Sequence, residues 1–362
     1  MFCMFPLERF LAASRPEATD YVQAAPFITG HFMLWFAGIP EERAFEYWGR
    51  DCRKKLCAQL KTIEAFRNRF PDAMLWPGIW ADFGPAVEPS SLGCDVVFPE
   101  RASPFPQPTI KDLEDIDRLQ DPDAGRDGLM PLALEAHRYM VKKIPSGLDR
   151  QYGYGQWTHS LGPSDIAGLS MGYDRFLIGL YRHPDSIHKI MKVAAETTVV
   201  WIEAQRDAIG SDLLTFISGD TDNFLNPVQF KAFSYPYISS VCKKLRKKEN
   251  VVLYHNDGDT THLLDILSEV GANMFNYGQG MKTATVKEKV GRKMGLLGGL
   301  NSIGVMLNGK AEDVRAEASK AILEGDVDGG FVLSNEGGMA SHTPWENIVA
   351  MIESARDSSD IA

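Results

Sequence analysis

His255-Asn256-Asp257 closes the apolar run Val251-Val252-Leu253-Tyr254, which reads as a buried strand. Residues i and i+2 of a strand point the same way, so the imidazole and the carboxylate would project together from its end. That pair suits proton transfer or metal ligation. Other predicted strand ends carry polar groups of the same kind. Asp82 follows Ala81, Asp220 and Asp222 follow Gly219, Asn301 follows Leu300, and Glu336 follows Asn335. One histidine in an apolar segment is more often structural. Recurrence at five equivalent strand ends favours a site, with Asp82, Asp220, His255, Asn301 and Glu336 expected around one cavity.

The same region is rich in aromatic residues: Trp76, Trp80, Phe83, Tyr152, Tyr154, Trp157, Tyr254 and Tyr277. Core packing is the plain alternative, because aromatic residues dominate cores. Beside convergent polar groups they also make a pocket for a small, largely apolar ligand. Trp80, Tyr152, Trp157, His159, Tyr254, Tyr277 and Asn301 are therefore the candidate substrate contacts. His255, Asp257, Asp82, Asp220 and Glu336 are the candidate catalytic groups.

Other patterns carry less. Gly168-Leu169-Ser170-Met171-Gly172 matches GxSxG, but Ser170 falls inside an apparent helix rather than at a strand-to-helix turn. The run Lys243, Lys244, Arg246, Lys247, Lys248 reads as a solvated helix end. Five scattered cysteines, with no CxxC, signal neither a disulfide framework nor a structural zinc site.

Elements that could position these groups alternate regularly in the second half. Strands are predicted over 213–220, 251–257, 274–278, 294–301 and 329–337. Helices are predicted over 227–247, 260–270, 282–292, 311–324 and 344–356. Short continuous apolar strands between one-faced helices argue for a parallel sheet covered on both sides. The first half is less regular, with strands expected over 24–29, 74–82, 94–98 and 152–161. The expected architecture is α/β: a (β/α)8 TIM barrel forming a single domain over 1–362, with residues 1–70 as a helical extension packed on it. The rival open doubly wound sheet lacks its GxGxxG or P-loop signature.

Composition excludes several partners. The chain has 362 residues, with 38 basic against 48 acidic side chains, a net charge of −10. An acidic chain repels phosphate backbones and anionic membrane surfaces, so no nucleic acid and no membrane are expected as partners. The longest apolar run, 32–39, is far short of the ~20 residues that span a bilayer. The start MFCMFPLERF lacks the marks of a secretory leader, and the reading is a soluble cytoplasmic protein.

A set of short segments is similar to the uroporphyrinogen decarboxylase superfamily, and within it to the cobalamin-dependent methyltransferases. They are Leu7-Glu8-Arg9-Phe10-Leu11-Ala12-Ala13, Ala18-Thr19-Asp20-Tyr21-Val22, and Asp82 followed by Ser91-Leu92-Gly93-Cys94-Asp95-Val96. Then come Gly162-Pro163-Ser164-Asp165-Ile166-Ala167-Gly168, Leu225-Asn226-Pro227-Val228-Gln229-Phe230 with Tyr235-Pro236-Tyr237, and Thr343-Pro344-Trp345-Glu346-Asn347. Their order along nearly the whole chain is the specific feature. The resemblance implies methyl transfer to or from a corrinoid (cobalamin) carried on a separate protein. The decarboxylases clamp their acidic porphyrin with an arginine-rich N-terminal segment, whereas 27–39 here has no arginine. The thiol-activating members hold zinc with His-x-Cys and a later cysteine. Here His255 matches the histidine, Asp257 stands in the first cysteine's place, and Gly337 in the second's, just after Glu336. A set of His255, Asp257 and Glu336 could hold zinc or a harder ion, or could work by proton transfer without a metal.

The expected enzyme moves a methyl group from a small O-methylated, aromatic donor to Co(I) of a partner corrinoid protein. A quaternary amine held on aromatic faces is the nearest variant. Methylcorrinoid-to-thiol transfer, decarboxylation and a non-catalytic corrinoid-protein-binding barrel are the rivals, and a homodimer is left open.

Overall fold

The computed structural model describes residues 4–15, 17 and 19–360, the last two of these by backbone only. Cys3 and Ala18 of the segments above lie outside the described residues.

Seven strands form one all-parallel sheet. In chain order they are β1 (Gln23–Ala24), then, after the separate hairpin β2 (Asp95–Val97) and β3 (Phe105–Gln107), β4 (Trp157–Leu161), β5 (Leu214–Ser218), β6 (Val251–His255), β7 (Met274–Asn276), β8 (Gly295–Asn301) and β9 (Phe331–Glu336). Their spatial order is β1-β9-β8-β7-β6-β5-β4. The segment around Trp76 closes the ring between β1 and β4. Met74 and Trp76 donate their N–H groups to Ala24 and Pro26, Ile28 donates to Trp76, and Ile79 donates to Tyr154. The fold is a TIM barrel. Among the described residues no helix is long and apolar enough to cross a membrane.

Local chemistry explains the elements. The helix Pro184–Ile209 opens with proline at its first turn and ends at Gly210, which takes φ 72° as helix-terminating glycines do. It buries Ile187, Ile190, Met191 and Ala194 along one stripe against the sheet. β5 and β6 are buried at every position, since helices cover one face and the barrel interior the other. The lower interior is filled by aromatic residues. Trp76 stacks on Phe27 at 4.0 Å, lies 6.0 Å from Trp157 and 5.9 Å from Phe216, and donates from Nε1 to Ser334 Oγ at 3.1 Å.

Four expectations change. The strand expected over 74–82 is reduced to an isolated bridge between Phe27 and Trp76. Residues 94–98 form no barrel strand: β2 pairs antiparallel with β3 in a hairpin outside the ring. The predicted strand over 152–161 begins only at Trp157, because Ser146–Tyr152 is helical and ends at left-handed Gly153. Residues 1–70 are not simply an extension. The chain enters the barrel already at Gln23–Ala24, paired with Val332–Leu333, and the helices Gly30–Phe36 and Cys52–Arg69 lie between the first two ring positions.

Candidate active site

Register sets the site. Ser218 of β5 lies opposite His255 of β6, which lies opposite Asn276 of β7. Alternation then turns the three side chains into the barrel at its C-terminal rim. His255 is buried, and its Nδ1 lies 2.5 Å from Asn276 Oδ1. Asn276 is held in turn by donating from Nδ2 to Leu297 O at 2.8 Å. On the other side, Nε2 is 2.9 Å from Asp257 Oδ1 and 3.8 Å from Asp220 Oδ1. The Asp257 N–H donates to Asp220 Oδ1 at 2.8 Å, tying the two loop tips together.

Asp220 is placed by Asp165, within the segment Gly162-Pro163-Ser164-Asp165. Its carboxylate accepts from Ser218 Oγ at 2.6 Å and from the N–H groups of Asp220 and Thr221 at 3.2 and 2.7 Å. These contacts make Asp165 a positioning residue.

Electrostatics separates the two neighbouring carboxylates. Although part of its side chain meets solvent, the protein packed around Asp220 pushes its carboxyl up to about 7, with the charges of Asp165 and Asp257 adding and His255 opposing. Burial acts in the same direction on Asp257, but the imidazolium of His255 outweighs it and holds Asp257 below its ordinary value. For His255, burial favours the neutral ring, yet the charges of Asp257 and Asp220 carry it up to about 9. Two acids whose environments drive them apart beside one charged imidazole are suited to distinct acid and anion roles.

These groups open into a cavity of about 560 Å³. Trp48, Trp80, Phe83 and Phe216 supply aromatic walls, and Asp82, Glu88 and His159 supply further polar lining. Neither lysine nor arginine lines it among the described residues. Asp82 accepts from Gly84 N–H at 3.0 Å and from Tyr47 OH at 3.4 Å, and burial raises its pKa against the opposing charge of Lys55. A Cβ on Gly30 would lie 2.5 Å from Asp82 Oδ2, so only glycine fits beside that carboxylate. Lys55 stands behind the wall. Burial brings it down to about 8, its ammonium donates to Asp82 O, and it lies 3.7 Å over the Phe83 ring.

Of the residues expected from sequence, Asp82, Asp220, His255, Asp257, Trp80 and His159 share this cavity. Six others do not. Glu336 and Asn301 line a separate crevice with Gly280, Glu317 and Glu324. Gly298 and Gly299 of β8 take φ 155° and 111°, which disturbs the alternation of that strand just before Asn301. A Cβ on either would press outward on Tyr277 or Ala321. Asn301 instead caps the next helical turn through Ile303 and Gly304 N–H. The metal-ligand set expected as His255, Asp257 and Glu336 is thereby corrected: Asp220, not Glu336, offers a ligand atom within 4.8 Å of those of His255 and Asp257.

Tyr254 adjoins His255, so alternation sends it to the opposite face, where it donates to Asp222 Oδ2 at 2.6 Å. That contact also keeps Asp222 out of the cavity. Tyr277 pairs with Thr283 at 2.8 Å. Trp157 starts β4 and packs on Phe10 and Trp76 below the site. Tyr152 stacks on Tyr154 and donates to Pro71 O. Ser170 is buried in the helix Pro163–Met171.

Sequence reasoning missed Glu88 and Asn276. Asn276 ends a predicted strand, so the rule that selected His255 would have found it. Glu88 had no such signal. It lies in the short helix Val87–Ser91, accepts from Leu161 N–H at 2.9 Å, and is pushed by burial to about 7.

A model of the uroporphyrinogen decarboxylase family matches residues 6–358. The chain belongs to the uroporphyrinogen decarboxylase family. It is 25% identical to a uroporphyrinogen decarboxylase of Danio rerio, over 97% of this chain and 94% of that one. It is also 25% identical to a methylcobamide:CoM methyltransferase, MtbA, of Methanosarcina mazei, over 69% of this chain and 70% of the relative. The solved structure of a Methanosarcina mazei methyltransferase superposes with a TM-score of 0.79, at 20% identity, over 98% of this chain and 99% of that one. The family thus holds decarboxylases and methyltransferases on one barrel, and the contents of the cavity must distinguish them.

Proposed function

We propose that this chain is a corrinoid-linked methyltransferase that takes a methyl group from a small O-methylated, aromatic donor. The acceptor is Co(I) of a corrinoid carried on a separate protein. One observation carries the reading: an aromatic cavity, without a lysine or arginine among its described lining residues, has an imidazole held between two carboxylates at its mouth. A substrate with many carboxylates would meet Asp82, Glu88, Asp220 and Asp257, and the one imidazolium there, His255, is already paired with two of them. A small aromatic ether meets ring faces instead, and its oxygen finds a proton source. The methylcobamide relative supports the corrinoid side of the reading.

In the transfer the methyl–oxygen bond breaks, its electron pair stays on the aryl oxygen, and that oxygen takes one proton to leave as the phenol. The docked corrinoid supplies the nucleophile that receives the methyl group. The side chains of Asp220 and Asp257 are 44% and 53% exposed, so a group carried on a second protein can reach them from outside. Asp220, partly protonated near neutral pH, is the proton donor. His255, oriented by Asp257 and Asn276, keeps positive charge beside the oxygen as negative charge develops on it.

The donor set of His255, Asp257 and Asp220 also fits zinc or a harder divalent ion, with Asn276 orienting the imidazole. An ion held there would supply Lewis-acid polarisation of the ether oxygen.

Cob(I)alamin and a panel of methoxylated aromatics should give methylcobalamin and the free phenol, followed by absorbance and chromatography. Uroporphyrinogen should be left unchanged, and formation of coproporphyrinogen would overturn the methyltransferase reading. Metal analysis of Asp257→Cys separates ion from proton. Zinc content kept or increased marks Asp257 as a ligand, because thiolate is a good zinc ligand. Activity lost with no gain of metal marks it as the partner of a charged His255.

A further inference from the structure

His159 lies farther along the cavity and takes no part in the proton chemistry above. Its place is rigidly set from the helix Pro184–Ile209. The His159 N–H donates to Gln205 Oε1 at 3.0 Å, and Gln205 Nε2 donates back to His159 O at 2.8 Å. The ring packs 4.0 Å from that of Trp80. The residue is only 8% exposed, lines the cavity, and has no hydrogen-bond partner at either Nδ1 or Nε2. The indole nitrogens of Trp80 and Trp48, on the same walls, are buried and unpartnered as well. Such atoms are rare in folded proteins, and on side chains that line a cavity they point to a ligand.

The spacing fits a single ring. Phe216 stands between the two imidazoles, its centroid 5.7 Å from His159 and 5.2 Å from His255. An aromatic ring over Phe216 would present one substituent to each. Burial drives the pKa of His159 well below its ordinary value, so the ring is neutral, with one donor and one acceptor. A hydroxyl group matches both. A carboxylate offers acceptors only, and it would add charge to a cavity that already contains Asp82 and Glu88.

We propose that His159 is the specificity-determining contact for the far end of the substrate, pairing with an uncharged hydroxyl on the ring whose methoxyl group lies at His255. The substrate class is then a methoxyphenol in preference to a methoxybenzoate. The methoxyl half rests on the methyl-transfer reading, whereas the hydroxyl preference is a binding property that needs no turnover.

Phenol, methylbenzene and benzoate serve as unreactive probes, their binding read from the fluorescence of the cavity tryptophans. Phenol should bind about tenfold tighter than methylbenzene, the effect of one retained hydrogen bond, and benzoate most weakly. His159→Phe keeps the contact with Trp80 and should abolish the preference for phenol, while His159→Gln, which retains a donor and an acceptor, should keep it. Equal binding of phenol and methylbenzene to the wild type, or tightest binding of benzoate, overturns the proposal whether or not the variants fold. In the cob(I)alamin assay, equal KM for methoxybenzene and methoxyphenol would end the subsite but leave the methyltransferase standing. A preference for phenol without transfer from any donor would do the reverse.

Discussion

The tips of β6 and β9 offer similar chemistry to opposite effect. Each ends a buried parallel strand on a polar residue, and each carries a group far from its ordinary pKa. His255 is carried up to about 9 by two carboxylates, and Glu336 is pushed to about 8 by burial. His255 faces the large aromatic cavity with Asp257 and Asp220, whereas Glu336 faces a crevice between its strand and the helix Ala311–Gly325. The difference lies in what surrounds them. Around His255, charges of opposite sign converge from two strand tips. Around Glu336, the Gly280 N–H favours the charged form and the Glu317 carboxylate opposes it, and Lys282 and Lys320 of the same crevice do not offset the burial. A perturbed pKa becomes a functional signal only where a partner and a substrate-sized space accompany it.

The largest test of that contrast is His255→Ala. Methyl transfer should fall by about 10³, the usual weight of a positioned acid–base group, while the melting temperature moves little. A large loss of stability with proportionate activity would make His255 a core residue and erase the contrast.

Next comes Asp220→Asn, expected to cost about 10² in kcat through loss of the proton donor. Because the protonated carboxyl is the active form and its pKa is about 7, the wild-type rate should fall as pH rises through that value. The variant should lose this limb and keep only the fall belonging to His255, moved below its wild-type position because the Asp220 charge that helps raise it is gone. An unchanged profile would remove Asp220 from the mechanism.

Tyr254→Phe sharpens the comparison between neighbours on one strand. It breaks the bond to Asp222 on the outer face, so chemical denaturation should show a loss of about 1–2 kcal/mol with kcat nearly unaltered. A selective effect on kcat would mean that the outer face communicates with the cavity.

The smallest effect on activity belongs to Glu336→Gln, expected to stay within about twofold of wild type, as for a group remote from the reacting atoms. Its signature is in stability. The folded pKa is raised above the ordinary 4.5 to about 8, so the native state holds the extra proton and stability falls as pH rises through that interval. Glutamine cannot ionise, and the melting temperature of the variant relative to wild type should therefore rise between those pH values. A flat difference would place Glu336 in solvent.

The rule that strand ends converge on a barrel axis located His255 and Asp257 from four apolar residues and their i, i+2 spacing. Applied evenly, it also selected Asn301 and Glu336, which it should not have done. Gly298 and Gly299 were visible in the sequence, but their positive φ values, which disturb the alternation of β8 just before Asn301, were not. Tyr254 was an avoidable error: if His255 faces inward, its neighbour cannot. Glu88 was invisible, since nothing local marks a carboxylate in a five-residue helix as buried beside β4.

By itself the sequence determined the alternation of strands and helices, the absence of a cationic segment over 27–39, and the pairing of imidazole with carboxylate at 255 and 257. These are properties of short range, encoded in periods of two and 3.6 residues and in local charge. Tertiary structure alone decided that Asp220, tied down by Asp165, completes the trio, that Glu336 stands apart, and that His159 lines the cavity with both ring nitrogens buried and unpartnered. Those facts depend on register across separate strands and on which atoms lose water when the barrel closes, and no local pattern specifies either.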